Sequence, residues 1–286
     1  MQRPAIGNFC MSKTWFITGT SSGIGRHLTE RLLARGDRVA STVRQVDALD
    51  DLKALYGERL WVAALDVTDL ESVRDVMARA FAELGQIDTV VSNAGYGLFG
   101  AGEEVSDDQI RLQLDTNLLG SIAVIRAALP HLRAQGGGQI QQVSSEGGQI
   151  AYPSFGLYHA TKWGIEGFVE AVAQEVAPFG ITCTIVEPGP AGTSFSTNAM
   201  RAEAMDVYAA TPAGAIRRAL AEGSFAIRGD ADKMAQAMID CADSGRAPRR
   251  LLLGAEAYGR VHAALTARLA ELEAQRDVAV STERDA

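Results

Sequence analysis

A tyrosine and a lysine four residues apart, Tyr158 and Lys162, stand where the chain begins an amphipathic stretch. At that spacing both side chains share one face of a helix. A free phenol ionises near pH 10, too high to trade protons easily at neutral pH. A neighbouring ammonium favours the phenolate, which brings Tyr158 towards acid–base use. Taken alone, such a pair is far more often an ordinary helix-surface pair. Ser145 changes that balance: it follows an apolar run that ends at Val143. In an open parallel sheet, ligands sit beyond the carboxyl ends of such strands.

A second constellation lies near the start of the chain. An apolar run leads into Thr18-Gly19-Thr20-Ser21-Ser22-Gly23-Ile24-Gly25 and then into a helical pattern. Glycines there let the backbone turn tightly and approach a pyrophosphate, whose charge favours a helix N-terminus. No Lys-Ser/Thr pair follows Gly25, so the turn is not a P-loop for nucleoside triphosphates. The next strand ends Ser41-Thr42-Val43-Arg44, with no acid to meet the ribose hydroxyls of NAD. Arg44 can instead fork onto a 2′-phosphate, with the Ser21 and Ser22 hydroxyls as further donors. The competing reading of Arg44 is an exposed surface arginine.

These groups need elements to hold them. Apolar runs at 15–17, 38–43, 60–65, 87–91, 139–143, 181–186 and 251–253 read as strands. Helical patterns fall at 23–35, 46–56, 70–84, 155–177 and 257–275. Another long helix follows Ser106, which with Gln109 forms a capping box. Strands alternating with helices predict an α/β fold: a single-domain, Rossmann-type, doubly wound parallel sheet of about seven strands with helices on both faces. We expect one domain over 12–275, with an N-terminal extension at 1–11 ahead of a plausible alternative start at Met11. The irregular segment 190–228 reads as a substrate lid, and 276–286 as a frayed polar tail.

Composition narrows the function. With 286 residues, 47% of them hydrophobic, the chain needs no disulfide or metal staple to fold. A net charge of −8 argues against nucleic acid or an anionic membrane as partner. Cys10, Cys183 and Cys241 fit no zinc or disulfide pattern, and Cys183 inside an apolar strand reads as buried and inert. No apolar stretch is long enough to span a bilayer or serve as a signal peptide, so a cytoplasmic protein is expected.

Taken in order, these motifs resemble those of the short-chain dehydrogenase/reductase family, from about Thr14 to Leu253. The T-G-x-x-x-G-x-G turn is matched by Thr18, Gly19, Gly23, Ile24 and Gly25. The acid after strand three is matched by Asp66, followed by Val67. The N-A-G motif is Asn93-Ala94-Gly95, the helix asparagine is Asn117, and the serine is Ser145. The Y-x-x-x-K motif is Tyr158 and Lys162, the P-G motif is Pro188-Gly189, and Thr193 stands where the family contacts the carboxamide. Each has a plainer reading as well. Asp66 can cap a helix, Asn93 and Gly95 can form a turn, Asn117 can be satisfied by backbone, and Pro188-Gly189 is a turn dipeptide. His159 matches no family role and reads as a structural variation.

The resemblance implies an NAD(P)-dependent oxidoreductase that interconverts a ketone and a secondary alcohol by hydride transfer. Tyr158 is then the acid–base group, Ser145 holds the carbonyl oxygen, Lys162 binds the nicotinamide ribose, and Asn117 supports a proton relay. Arg44 favours NADP(H), although Ser22 stands where many NADP users carry a second basic residue; NAD(H) is the alternative. No metal is required. A medium-sized hydrophobic or aromatic ketone fits a pocket lined by Tyr96, Leu98, Phe99, Glu146, Gln149, Tyr152, Phe155 and Phe195, with Met200, Met205, Tyr208 and Phe225 on the lid. Glu146 is the one charged candidate, facing either a polar substrate group or solvent. The family usually assembles through two long helices, here about 110–132 and 155–177, so a homodimer or homotetramer is expected. The alternatives are a catalytically weak NADP-binding sensor, or a non-redox enzyme on the same scaffold; the intact Gly19, Gly23 and Gly25 argue against the latter.

Overall fold

The first apolar run becomes strand β1 (Thr14–Thr18), buried along its whole length. Trp15 and Ile17 join the core on one side of the sheet and Phe16 the core on the other, as a period of two requires. The chain continues through α1 (Gly23–Arg35), β2 (Arg38–Val43), α2 (Asp50–Tyr56), β3 (Leu60–Ala64), α3 (Leu70–Leu84) and β4 (Thr89–Ser92). A two-residue strand β5 (Leu98–Phe99) precedes α4 (Asp107–Leu114), α5 (Ser121–Ala134), β6 (Gly138–Val143), α6 (Gly156–Val176) and β7 (Ile181–Pro188). After these come α7 (Phe195–Asn198), β8 (Met200–Arg201), α8 (Pro212–Ala221), α9 (Ala231–Asp243), β9 (Arg250–Leu253), α10 (Ala255–Ala274) and α11 (Arg276–Ser281). These elements come from a computed structural model that describes residues 12–224 and 227–284.

Seven strands form one sheet in the order β3-β2-β1-β4-β6-β7-β9, and every pairing is parallel. The expected doubly wound architecture of a single domain is present. The winding reverses between β1 and β4, and a crevice opens at their carboxyl ends. On one face, α3, α5 and α6 bury Met77, Ile125 and Ile165 against Phe16, Val90 and Ile140. On the other, α1 and α9 bury Leu28, Leu32 and Met238 against Trp15, Ile17 and Val186.

Several expectations are corrected. Helix α9 carries no counterpart in the sequence reading, although Asp230 caps it through Asp232 and Lys233 N–H and its apolar residues recur at helical spacing. The helix after Ser106 does begin with the capping box. It then passes through a π-helical turn, Asp115–Gly120, before continuing as α5. A stretch of that kind shifts the carbonyl register and often marks a functional position. The tail expected to fray carries α11, all of whose residues are exposed. The extension at 1–11, Cys10, Phe225 and the last two residues of the tail lie outside the described residues.

Candidate active site

The glycine-rich turn is built by close approach. Gly19 and Gly23 have φ of 73° and 60°, a backbone region that favours glycine. A Cβ on Gly25 would lie 2.5 Å from both Asn93 Nδ2 and the Gly19 carbonyl oxygen. Asn93 ties the turn to the end of β4: its Nδ2 donates to the Thr18 and Gly19 carbonyls at 2.9 and 3.0 Å. The Asn93 and Ala94 N–H groups donate in return to Thr18 Oγ1. Gly25→Ala therefore forces two packed backbones apart. We expect it to lose about 1–3 kcal/mol of stability, measured by urea unfolding, and to weaken nucleotide binding with it.

Helix α1 has no side-chain cap from Ser22 and no acid in its first turn, so its leading N–H groups suit an anion. Ser21 and Ser22 are exposed beside it. Arg44, exposed at the end of β2, makes no ion pair or hydrogen bond among the described residues. It separates two open cavities. One, of about 360 Å³, is lined by Ser21, Arg44, Gln45 and Ala48. The other, of about 300 Å³, includes Arg44, Leu65, Asp66 and Asp69. Asp66 does not cap α3; Asp69 does. Asp66 Oδ1 instead accepts from Thr68 N–H and Oγ1 at 3.0 and 2.8 Å. Val67 packs where a Cβ on Gly120 would meet it at 2.8 Å. An arginine with no partner among the described residues, at an open cavity next to an uncapped glycine-rich helix start, suits an anionic ligand such as a dinucleotide.

At the other end of the crevice, Asn117 sits in the π-helical turn with no exposure. Its side chain clasps one residue on both sides. Tyr96 N–H donates to Asn117 Oδ1 at 3.1 Å, and Asn117 Nδ2 donates to the Tyr96 carbonyl at 2.8 Å. Gly95 fits because a Cβ there would approach Asn117 Oδ1 to 3.1 Å. The Tyr96 hydroxyl is buried without a partner among the described residues.

Tyr158 and Lys162 lie on the first turns of α6, both buried. Lys162 Nζ donates to the Val143 carbonyl at 3.0 Å and stands 5.5 Å from the Tyr158 ring centre. Burial pushes its pKa down to about 8, opposed by Glu166 one turn along. Burial likewise raises the Tyr158 phenol above its ordinary value, and the Ser145 hydroxyl within reach pulls it back only in part. The sequence expectation was that Lys162 draws this pKa down; the net shift is upward because desolvation dominates. Ser145 Oγ accepts from Gly147 N–H at 3.0 Å and reaches towards the Pro188 carbonyl at 3.5 Å. Gly189 N–H bonds to Leu253 at 2.8 Å, which anchors the end of β7.

The expected pocket divides into two kinds of residue. Phe155 stacks on Tyr158 at 4.2 Å and on Phe99 at 4.4 Å, while Phe195 meets Tyr158 edge-on at 5.7 Å. Tyr152 stacks near Phe155 at 6.0 Å, its own pKa pushed up to about 12 by burial. Phe155 and Phe195 thus lie against Tyr158, with Phe99 and Tyr152 packed on Phe155. Glu146 and Gln149 correct the expectation of free pocket groups. Glu146 is buried and held bidentately by Arg260 of α10, and Gln149 Nε2 donates to Glu187. The 190–228 segment is tied across the site by the pairing of β5 with β8 and by Glu104, which accepts from Met205 N–H and pairs with Arg217. Thr193 lies against Gly23, and its hydroxyl accepts from Phe195 N–H. Of the remaining lid candidates, Met200 pairs with Leu98 in that short sheet, and Tyr208 donates to Glu103.

Behind the site is a charge network absent from the sequence reading. Glu166 and Glu187, both buried, share Arg250 of β9. Glu166 also accepts from Ser144 Oγ at 2.6 Å. Burial holds both carboxyls above the usual range, against the pull of Arg250. Gly148 packs so closely on Glu166 that a Cβ would overlap its carboxylate, at 1.7 Å. The i,i+4 spacing of Lys162 and Glu166 was a readable signal; Arg250 and Arg260 come from too far along the chain to leave one.

A sequence model of the short chain dehydrogenase family matches residues 13–204. The oxidoreductase BOA17 of Botryotinia fuckeliana (strain B05.10) is 38% identical over 249 residues, covering 86% of this chain and 90% of that one. A solved short-chain dehydrogenase from Streptomyces avermitilis superposes with a TM-score of 0.88 at 37% identity, over 96% of this chain and 99% of that one. A structure of ElxO with NADP bound superposes with a TM-score of 0.71 at 25% identity, over 85% and 97% of the two chains. Among the described residues, no helix is long and apolar enough to cross a membrane.

Proposed function

The chain belongs to the short-chain dehydrogenase/reductase family of oxidoreductases, and from that premise we propose that it interconverts a ketone and a secondary alcohol with NADP(H) in preference to NAD(H). The observation that carries this reading is the buried Tyr158 beside Lys162 and Ser145, at the carboxyl end of a sheet whose first strand runs into the glycine-rich turn. The nicotinamide, when bound, would supply the hydride for reduction and take it up in oxidation. The turn residues Gly19, Ser21, Ser22, Gly23, Ile24 and Gly25 receive the pyrophosphate and Arg44 the 2′-phosphate. Asp66 and Val67 flank the adenine. Asn93, Ala94, Gly95, Pro188, Gly189 and Thr193 frame the nicotinamide end.

Tyr158 gives its proton to the carbonyl oxygen in reduction and recovers one in oxidation. Ser145 donates a hydrogen bond to the same oxygen and fixes its position. Lys162 holds the ribose hydroxyls, and Asn117 supports the route by which Tyr158 is reprotonated. The aromatic wall of Phe99, Tyr152, Phe155 and Phe195, with Tyr96 at its edge, supports a hydrophobic or aromatic substrate, and the 190–228 segment serves as its lid. A small molecule is thus the partner, and assembly as a homodimer or homotetramer through α4–α5 and α6 follows the family habit.

Titration with NADPH and NADH tests the cofactor preference. Arg44→Ala should weaken NADPH binding by about 1–3 kcal/mol and leave NADH almost unchanged. Equal losses for both would mean that Arg44 does not receive the phosphate.

A further inference from the structure

His159, next to Tyr158, is buried, yet the reaction proposed above gives it no part. Its two ring nitrogens have different partners. Nδ1 lies 2.8 Å from the Gly147 carbonyl oxygen, which can only accept. Nε2 lies 3.2 Å from the Tyr152 backbone N–H, which can only donate. Both bonds exist together in one state alone: neutral imidazole with the proton on Nδ1. Protonated Nε2 would face another donor.

Gly147 links this ring to the serine. Its carbonyl is held by His159, while its N–H donates to Ser145 Oγ at 3.0 Å. A Cβ on Gly147 would fall 2.8 Å from His159 Nδ1, so the loop fits the ring only as glycine. Tyr152, the other partner, meets the ring edge-on at 4.4 Å and belongs to the aromatic wall around Tyr158. One imidazole therefore braces the serine loop and the pocket wall against the helix that carries Tyr158.

We propose that His159, as the neutral Nδ1–H tautomer, is a positioning residue that aims the Ser145 hydroxyl at the substrate oxygen beside Tyr158 and is disarmed by protonation. This rests on the assignment of Ser145 and Tyr158 to the reaction. Gly147 N–H occupies one lone pair of Ser145 Oγ, so the angle at which the loop presents that N–H fixes where the serine proton points. The ring is enclosed by Tyr152, Phe155 and Tyr158. The other charged groups of this corner are the Glu146–Arg260 pair beside Gly147, Lys162 three residues along α6, and Arg268, which donates to the Gln149 carbonyl. Burial lowers the His159 pKa below its ordinary value, against the bond to Gly147. The neutral form thus persists through neutral pH, and the brace fails only on acidification.

Nitrogen-15 NMR of the imidazoles, with amide exchange of Gly147 and Tyr152, tests the brace without any substrate. A protonated Nδ1 with bare Nε2, and protection of both amides that is lost in His159→Ala and regained in His159→Gln, is the expected result. An Nε2–H tautomer, or unchanged protection in His159→Ala, overturns the proposal. With a ketone that the protein reduces, His159→Ala should lower kcat about 10- to 100-fold with KM and NADPH affinity nearly unchanged. His159→Gln, which can donate and accept but does not titrate, should recover much of that loss and move the acid limb of the pH profile. An unmoved acid limb in His159→Gln contradicts the proposal. Absence of turnover on any ketone would sink the reading of function, while the NMR arms still decide His159.

Discussion

Tyr158→Phe is expected to lower kcat for ketone reduction by on the order of 10³-fold, within the usual contribution of a positioned acid. NADPH affinity should stay within about two-fold. The substitution removes only the hydroxyl: the ring that stacks on Phe155 and meets Phe195 remains, so the aromatic wall is preserved. Loss of NADPH binding along with turnover would mean that the hydroxyl holds the nucleotide, and its assignment as the proton donor would fall. The direction of the pKa shift adds a second readout. Burial raises the phenol, so Tyr158 stays protonated through neutral pH. Reduction, which needs the acid, should be flat across that range. Alcohol oxidation needs the phenolate and should climb as pH rises.

Arg250→Ala is expected to be the most damaging single change to stability. It leaves Glu166 and Glu187 buried without their shared cation. Breaking a buried ion pair from one side costs about 3–5 kcal/mol, a large part of the roughly 5–15 kcal/mol that holds a domain together. The deficit should depend on pH in a defined direction. Both carboxyls have folded pKa values above the ordinary one. Their contribution is therefore most favourable below the unfolded pKa and declines as pH rises through the folded values. Removing Arg250 steepens that decline. Urea midpoints should differ most at neutral and alkaline pH and converge towards pH 4. A deficit that grows on acidification would show that the carboxylates are stabilised by something other than Arg250.

The sheet was legible because its strands are short apolar runs and α1, β2 and α3 have sharp ends: Gly36 in the left-handed conformation, Val43 before an exposed loop, Asp69 as a cap. Helix α9 was missed because it lies between an irregular segment and a short strand, where the alternation that marked the other helices is interrupted. The local motifs at Gly19–Gly25 and Tyr158–Lys162 were legible from spacing, and Ser145 from its place after a strand. What spacing could not carry was the direction of the Tyr158 shift, since sequence gives the lysine but not the depth of burial that outweighs it. Nor could it carry the fate of Glu146, Gln149 and His159. Each is decided by a partner reached only through the fold: Arg260 from α10, Glu187 from β7, and the backbone of Gly147 and Tyr152.

The central claim is that this chain moves a hydride between nicotinamide and a substrate carbonyl carbon while Tyr158 handles the proton. The most direct measurement uses NADPH carrying deuterium at the transferable position. The purified protein is incubated with a panel of aryl and aliphatic ketones, and the alcohols are read by mass spectrometry, with Tyr158→Phe alongside. Deuterium on the carbinol carbon of at least one product, lost in the variant, is the predicted result. NADPH bound without label transfer to any ketone, or label transfer undiminished in Tyr158→Phe, would contradict the account.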